Sequence, residues 1–118
     1  MRAQTLVYLS GPITAKHGYS IEENIAAALA AFLECTRLGL PAFCPHFTAA
    51  FPSTAAIDYE RWMAYDFAVL DHCTHVLMLP RWSMSDGAKR EYDYAVKRGI
   101  PVYTTLHAMA RDLGAVTA

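Results

Sequence analysis

The sequence predicts a single α/β domain built on a parallel sheet, and three features of the chain predict it. Short apolar segments typical of strands alternate with helical segments along the 118 residues. Residues 5–9 lack polar alternation, which is typical of a strand covered on both faces. Two helical segments end alike before a strand-like segment, Arg37-Leu38-Gly39-Leu40-Pro41 and Lys97-Arg98-Gly99-Ile100-Pro101. We therefore expect a doubly wound, flavodoxin- or Rossmann-like sheet of about four to five parallel strands, with helices on both faces.

The first half of the chain follows this pattern in order. After the strand at residues 5–9, Ser10-Gly11-Pro12-Ile13-Thr14 breaks the apolar run, and the glycine allows a ligand to approach the backbone. Ser20-Ile21-Glu22-Glu23 matches a capping box, so a helix is expected from this point to about residue 38. Gly39 supplies its left-handed cap, and the second strand is expected at residues 42–44.

A long connection follows, and then the second half of the sheet. Residues 45–56 contain two prolines and no clear period, which is typical of a binding loop or lid. Asp58 is the expected cap of a helix that reaches about residue 72. The remaining elements are expected as a strand at residues 75–79, a helix over about 86–98, a strand at 102–104 and a short helix or frayed tail over 106–113.

Composition limits the classes of function. The net charge of −1 argues against a broad basic surface, so we expect no binding to a nucleic-acid polymer. The longest apolar run, residues 25–33, is too short to cross a membrane, and the N-terminal residues do not read as a signal peptide. The 3 cysteines form no CxxC pair, so neither a disulfide framework nor a zinc ribbon is indicated, and a cytoplasmic location is expected.

Two carboxylates flank the strand expected at residues 75–79. Asp66 lies four residues after Trp62 and four before Leu70, on a helix face that should point inward. Glu91 lies on the less polar side of the next helix. A buried carboxylate is costly unless it is paired or used, so each is either a structural partner or a catalytic group. No cluster has metal-ligand spacing, so no metal or other cofactor is expected.

The expected protonation states of the two carboxylates differ. Glu91 near a helix N-terminus is expected to be ionised. Asp66, on a largely apolar face, is expected to hold a proton near neutral pH. In parallel α/β sheets ligands bind beyond the carboxyl ends of the strands, which places residues 10–14, His46 and residues 82–91 on one edge.

With those residues on one edge, the chain resembles the nucleoside 2-deoxyribosyltransferase superfamily, which includes the 2′-deoxynucleoside 5′-monophosphate N-glycosidases. The resemblance is carried by Tyr8-Leu9-Ser10-Gly11-Pro12-Ile13, by Asp66 before the central strand, and by Ser85-x-Gly87-x3-Glu91. It is closest to short bacterial and phage members with an LPGW-x2-S-x-GA-x2-E pattern. In this chain Arg81 replaces the glycine of that pattern.

The resemblance implies that residues 1–118 form one nucleoside 2-deoxyribosyltransferase-like domain. It implies that Glu91 is the nucleophile at the anomeric carbon, that Asp66 assists it, and that Tyr8 orients the catalytic carboxylate or the sugar. Together with the position on one edge, it predicts that the substrate is bound by Ser10, Gly11, Pro12, Ile13, His46, Trp82, Ser85 and Gly87.

The resemblance also implies a homodimer or larger even homo-oligomer, because these enzymes complete their sites with residues of a neighbouring subunit. A chain this small and apolar favours the same assembly. The aromatic side chains expected to be available for the interface are Trp62, Tyr65, Tyr92 and Tyr94.

The residue six before the nucleophile distinguishes members of the superfamily. Transferases acting on free nucleosides tend to have an aspartate there and nucleotide hydrolases a serine, and this chain has Ser85, followed by Gly87 at a helix N-terminus. Two departures are Thr14, where the hydrolases can place an arginine, and Asp86, which adds a negative charge. We expect hydrolysis of a 2′-deoxynucleoside 5′-monophosphate, or transfer of deoxyribose between bases. Two alternatives stay open: a non-catalytic nucleotide-binding module of the same fold, and an NAD-type glycohydrolase.

Overall fold

The computed structural model describes residues 4–15, 18–50 and 57–115. The strands are β1 (Val7–Ser10), β2 (Ala42–Phe43), β3 (His75–Met78) and β4 (Val102–Tyr103). The α-helices are α1 (Ile21–Arg37), α2 (Tyr59–Leu70), α3 (Asp86–Lys97) and α4 (Leu106–Asp112). Two short 3₁₀ helices, Pro45–Ala50 and Trp82–Met84, follow β2 and β3.

All four strands are parallel and lie in the order β2-β1-β3-β4. Val7 is opposite Ala42 on one side and His75 on the other, and Val76 is opposite Val102. The chain moves from β1 to β2 in one direction and then crosses back over β1 to reach β3. The direction of winding therefore reverses between β1 and β3, which is where such sheets bind ligands. The predicted α/β fold is confirmed, with four strands.

Helices cover both faces of the sheet. Val7 and Leu9 of β1 belong to one core cluster, with Ala28 of α1 and Met109 of α4. Tyr8 belongs to the second cluster, with Leu70 of α2 and Ala88 and Ala95 of α3. Because successive strand residues point to opposite faces, Ser10 points to the same face as Tyr8. The last polar residue of β1 is thereby directed at the α2–α3 layer.

The predicted helix ends are largely confirmed. The Ser20 side chain accepts a hydrogen bond from the Glu23 amide at 3.0 Å, and the Glu23 carboxylate accepts one from the Ser20 amide at 3.2 Å. Asp58 caps α2 by accepting from the Arg61 amide at 2.9 Å. Gly39 and Gly99 have φ of 74° and 71°, as expected of left-handed caps. These local signals therefore position α1, α2 and α3 within a few residues.

The expectation of an irregular loop over residues 45–56 was wrong for its first part. Pro45–Ala50 is a 3₁₀ helix, which begins at a proline because the first helical position needs no amide donor. The rest of the expected loop, residues 51–56, lies outside the described residues. Helix α2 also ends at Leu70, two residues earlier than expected.

The lengths of the helices determine whether any of them could cross a membrane. The longest helix, α1, has 17 residues and carries Glu22, Glu23 and Arg37. Among the residues that the structure describes, no helix is long and apolar enough to cross a membrane.

Gly11 is predicted to be essential for packing beyond β1. A Cβ atom at this position would lie 2.8 Å from Leu79 Cβ, closer than Cβ atoms are found to approach, and a tight 3.1 Å from its Cδ1. Gly11→Ala should therefore lower the free energy of unfolding by about 1–3 kcal/mol, the usual cost of overpacking. Urea denaturation followed by circular dichroism measures this.

Gly87→Ala is the control for that experiment. Its Cβ would meet side-chain ends at ordinary distances, Tyr59 Oη at 3.4 Å and Met63 Sδ at 3.6 Å, and alanine favours the helix. It should be neutral or slightly stabilising. Equal destabilisation by both substitutions would contradict the steric explanation.

Candidate active site

A cavity of about 320 Å³ lies beyond the carboxyl ends of β1 and β3. Its size is in the range of small-molecule sites. The residues that line it come from the segment after β1 (Gly11, Pro12, Ile13, Thr14), from α1 and the residues before it (Tyr19, Asn24), from α2 (Tyr59, Trp62, Met63, Asp66), from the β3–α3 connection and the start of α3 (Arg81, Met84, Ser85, Asp86, Gly87, Ala88), and from Pro45 and Glu91. The cavity therefore occupies the point where the sheet reverses its winding.

Glu91 is the most strongly held carboxylate in this cavity. It is 4% exposed. Its Oε1 accepts a hydrogen bond from Ser10 Oγ at 2.7 Å, and its Oε2 accepts one from the Tyr8 hydroxyl at 2.7 Å. Both donors belong to β1, and the two-residue period of the strand directs both at the same helix layer. One strand therefore supplies a donor to each carboxylate oxygen.

Asp66 completes the cluster from α2. It is 7% exposed and lies near enough to Glu91 and Tyr8 for both to shift its pKa. Burial, followed by the hydrogen bond and charge of Glu91, raises the pKa of Asp66 to about 8. Burial also raises the pKa of Glu91, against the lowering effect of hydrogen bonds from Asp66, Ser10 and Tyr8.

These contacts decide where the shared proton lies. Tyr8 keeps its proton because burial and the neighbouring carboxylates raise the pKa of its phenol well above the ordinary value. Tyr8, Ser10 and protonated Asp66 are then three donors directed at Glu91, and hydrogen bonds to a carboxylate favour its charged form. Glu91 is thus the ionised member of the pair, and Asp66 carries the proton.

The expected reason for the ionisation of Glu91 needs correction. Glu91 is the sixth residue of α3, whereas the influence of a helix N-terminus declines within the first turn. Side-chain donors from β1 and α2 favour the ionised form of Glu91 instead.

The structure divides the other predicted binding residues into two groups. Gly11, Pro12, Ile13, Ser85 and Gly87 line the cavity. Ser10 does not line it, but its hydroxyl holds Glu91. The Ser85 hydroxyl also caps α3 by accepting from the Ala88 amide at 3.2 Å, a role that the sequence analysis did not assign, and its own O–H can still donate.

Neither His46 nor Trp82 lines the cavity, against the expectation that both contact the substrate. His46 is 1% exposed, and burial lowers its pKa, so the ring is neutral. Its Nε2 donates to the Pro12 carbonyl at 2.8 Å, and this bond holds the backbone of the segment after β1. Trp82 stacks on Tyr92, with ring centroids 4.9 Å apart. His46 therefore acts on the cavity wall through Pro12, whereas Trp82 packs on a residue that does not line the cavity.

Sequence reasoning missed Asn24 and gave no role to Arg81. Asn24 is 3% exposed and donates to the carbonyls of Ile13 and Thr14, each at 3.2 Å. Its Oδ1 accepts from Arg81 Nη2 at 2.8 Å. An asparagine among the alanines on an inward helix face was the available signal, because such a polar group needs partners.

Comparison with known families gives a match over most of the chain. A family model described as a domain of unknown function (DUF4406) matches residues 5–104. The chain belongs to this family. The matched residues run from just before β1 through β4 and include Tyr8, Ser10, Asp66 and Glu91. No curated protein and no solved structure matches the chain.

The buried proton of Asp66 predicts a pH dependence of stability. The folded state holds a proton that the unfolded chain releases, between the ordinary pKa of 3.8 and the folded value of about 8. The free energy of unfolding should therefore fall as pH rises through that range. Asp66→Asn keeps a donor toward Glu91 and cannot ionise, so its melting temperature should exceed that of the wild type increasingly between about pH 5 and pH 9.

Thermal unfolding by circular dichroism across that pH range tests this prediction. The matched control is Asp93→Asn, an exposed carboxylate on the same helix as Glu91. It should leave the slope of stability against pH unchanged. A wild-type protein that becomes more stable as pH rises through the same range would contradict the assignment of the proton.

Proposed function

We propose that the protein cleaves the N-glycosidic bond of a 2′-deoxynucleoside 5′-monophosphate or a 2′-deoxynucleoside, passing the sugar to water or to a second base. One observation carries the proposal. Glu91 is a buried glutamate that lines the cavity. Hydroxyl donors hold both of its carboxylate oxygens, and a protonated aspartic acid, Asp66, lies beside it. An ionised nucleophile next to a proton donor is the pair that such a bond requires.

The chemistry proceeds in two displacements. A Glu91 oxygen forms a bond to the anomeric carbon while the bond from that carbon to the base nitrogen breaks. Asp66 gives its proton to the departing base and becomes ionised, so charge and atoms balance. Asp66 then removes a proton from an incoming water or base, which attacks the anomeric carbon and releases Glu91.

The closeness of the two carboxyl groups favours this route over direct displacement by water. Inverting glycosidases separate their carboxyl groups by about 6.5–9.5 Å to admit a water, and retaining enzymes by about 5–5.5 Å. Asp66 and Glu91 are near enough for each to shift the pKa of the other, which favours the shorter separation of the retaining enzymes. The proposed route therefore passes through a covalent glycosyl–Glu91 intermediate with overall retention.

Tyr8 and Ser10 hold the nucleophile in position. Each donates to a different Glu91 oxygen, so the carboxylate plane is fixed before the substrate enters. As the attack removes negative charge from Glu91, these bonds weaken, and they strengthen again when the carboxylate departs. They therefore favour release of the sugar as well as alignment.

The cavity walls suit a nucleobase. Tyr59, Trp62 and Met63 line one side of the cavity from α2. Aromatic rings and a thioether make favourable contacts with a planar, polarisable ring. The resemblance to the nucleoside 2-deoxyribosyltransferase superfamily, carried by motifs that include Tyr8, Asp66 and Glu91, implies the same substrates.

Glu91→Gln tests the nucleophile directly. The amide keeps the shape and removes the charge, so release of free base should fall by at least about 10³-fold while the protein stays folded. Asp66→Asn should cost about 10²- to 10⁴-fold, since it removes only the proton transfer. Single-turnover base release measured by chromatography, with a panel of nucleosides, monophosphates and NAD, gives both values.

Glu60→Gln is the control, because Glu60 is an exposed partner of Arg90 at the start of α2. It should keep wild-type turnover. Folded Glu91→Gln protein with near-normal release would remove Glu91 from the mechanism. Release of nicotinamide alone would favour the NAD-type glycohydrolase, and ligand binding with no base released by the wild type would favour the non-catalytic module.

We also propose that the protein forms a homodimer or a larger even oligomer. Three residues that line the cavity, Tyr19, Tyr59 and Met84, are among the exposed large apolar side chains, at 38%, 50% and 42%. The mouth of the cavity is therefore apolar and uncovered, which is typical of surfaces that bind a partner. A second subunit at this position would complete the wall.

The aromatic residues expected at the interface are only partly available for it. Tyr92 stacks on Trp82, and Tyr94 stacks on Phe67 and donates to Asp71. Tyr65 is 51% exposed.

Light scattering at about 10 μM protein should give at least twice the monomer mass, and Tyr59→Glu should reduce that mass by placing a charge in the apolar contact. A monomeric wild type would contradict the proposal.

A further inference from the structure

Arg81 adopts a backbone conformation that an arginine rarely accepts. Its φ and ψ are 66° and 16°, in the left-handed region. Among the described residues other than glycine, it alone has a positive φ. Such conformations are costly and persist where the surroundings impose them, most often at functional sites. The glycine of the related sequence pattern meets the same backbone requirement without strain.

The side chain of Arg81 is held in place by neutral groups. Nη2 donates to Asn24 Oδ1 at 2.8 Å, and the guanidinium carbon lies 3.7 Å from the centre of the Tyr19 ring. Asn24 is itself fixed, because its amide nitrogen donates to two carbonyls of the segment after β1. The guanidinium is thus positioned by α1 and the residues before it, at the wall of the cavity.

The charge of Arg81 is not neutralised within the described part of the chain. Every other described arginine has a carboxylate partner: Arg37 has Glu34, Arg61 has Asp58, Arg90 has Glu60, Arg98 has Asp71, and Arg111 has Asp112. Arg81 contacts an amide and an aromatic ring instead. Of the described residues that line the cavity, it is also the one cation. A positioned, unpaired guanidinium at a cavity wall is suited to an anionic ligand group.

We propose that Arg81 is the specificity-determining residue that binds a phosphate monoester on the substrate, and that Asn24 positions it. This inference rests on the proposed function, because it assigns the phosphate to the 5′ position of the nucleotide whose anomeric carbon meets Glu91. Arg81 supplies the cation that Thr14 does not. Ser85 and the first turn of α3 line the same cavity and add hydrogen-bond donors for the phosphate oxygens.

The negative charge of Asp86 is compatible with this assignment. Its side chain is 75% exposed and lies 3.5 Å from Lys89 Nζ, so water and a cation both reduce its repulsion. Glu91 is the buried anion of the cavity. A phosphate is repelled from Glu91 and attracted to Arg81, which orients the nucleotide with its sugar carbon toward the nucleophile.

The test measures binding separately from chemistry. Arg81→Gly and Arg81→Asn both accept the left-handed backbone and remove the cation, and Arg81→Lys keeps the charge without the planar fork. Each is made with Glu91→Gln, so that ligand is not consumed, and is titrated calorimetrically with the four common 2′-deoxynucleoside 5′-monophosphates and their nucleosides. Arg37→Gln is the control cation, since Arg37 pairs with Glu34 in the last turn of α1.

The expected result is a selective loss. Arg81→Gly and Arg81→Asn should weaken monophosphate binding at least about tenfold and nucleoside binding less than about twofold, with a reduced dependence of monophosphate affinity on salt. Arg81→Lys should lie between these variants and the protein with Arg81. The melting temperature of Arg81→Gly should equal or exceed that of the protein with Arg81. Absence of monophosphate binding, or equal losses for both ligand types, would overturn the proposal.

Asn24→Asp tests the positioning role. The carboxylate would pair with Arg81 and repel phosphate, so monophosphate affinity should fall while nucleoside affinity is kept. A lower melting temperature is expected in either case, because aspartate cannot donate to the Ile13 and Thr14 carbonyls. Equal weakening of both ligand types would overturn the positioning role.

The outcomes separate this inference from the proposed function. Selective loss of monophosphate binding without any base release by the wild type would support Arg81 and refute the glycosidase proposal. Base release by the wild type, with no change in ligand selectivity when Arg81 is replaced, would support the glycosidase proposal and refute the role of Arg81.

Discussion

The cost of burying the Glu91 carboxylate governs how the rest of the structure is arranged. A charged carboxylate at 4% exposure is unfavourable unless donors satisfy its oxygens. Strand β1 supplies two of them, Tyr8 and Ser10, and this is possible because both side chains point to the same face. Helix α2 supplies the third group, Asp66, which can approach only by keeping its proton. The packing of β1, α2 and α3 against one another therefore depends on the hydrogen bonds to one carboxylate as well as on apolar contacts.

Much of the fold was predictable from the sequence because its signals are local. Capping residues such as Ser20 and Asp58, and glycines such as Gly39, act within a few residues of themselves. The strands are shorter than expected at β2 and β4, because strand length depends on partners distant in the chain. The same holds for the 3₁₀ helix at Pro45–Ala50, whose composition resembles that of a loop.

The site was predictable in its carboxylates and less so in its partners. Asp66 and Glu91 could be identified because helical spacing assigns a face to each residue. The bonds to Glu91 join residues 81 and 83 positions apart, and no local pattern specifies them. His46 and Trp82 were expected to contact the substrate because they lie near strand ends. Position on an edge does not determine side-chain direction, and both turn to partners within the protein, Pro12 and Tyr92.

The distribution of charge, more than the shape of the cavity, distinguishes one end of the cavity from the other. Glu91 and Asp66 lie against β1 and share one proton, so this end of the cavity carries a single negative charge. Arg81 enters from the connection after β3, and Asn24 connects it to the segment that follows β1. A guanidinium held by a neutral amide keeps its full charge for a ligand, whereas one held by a carboxylate does not. The strained backbone of Arg81 is explained if that charge is needed there, since glycine would relieve the strain but could not supply it.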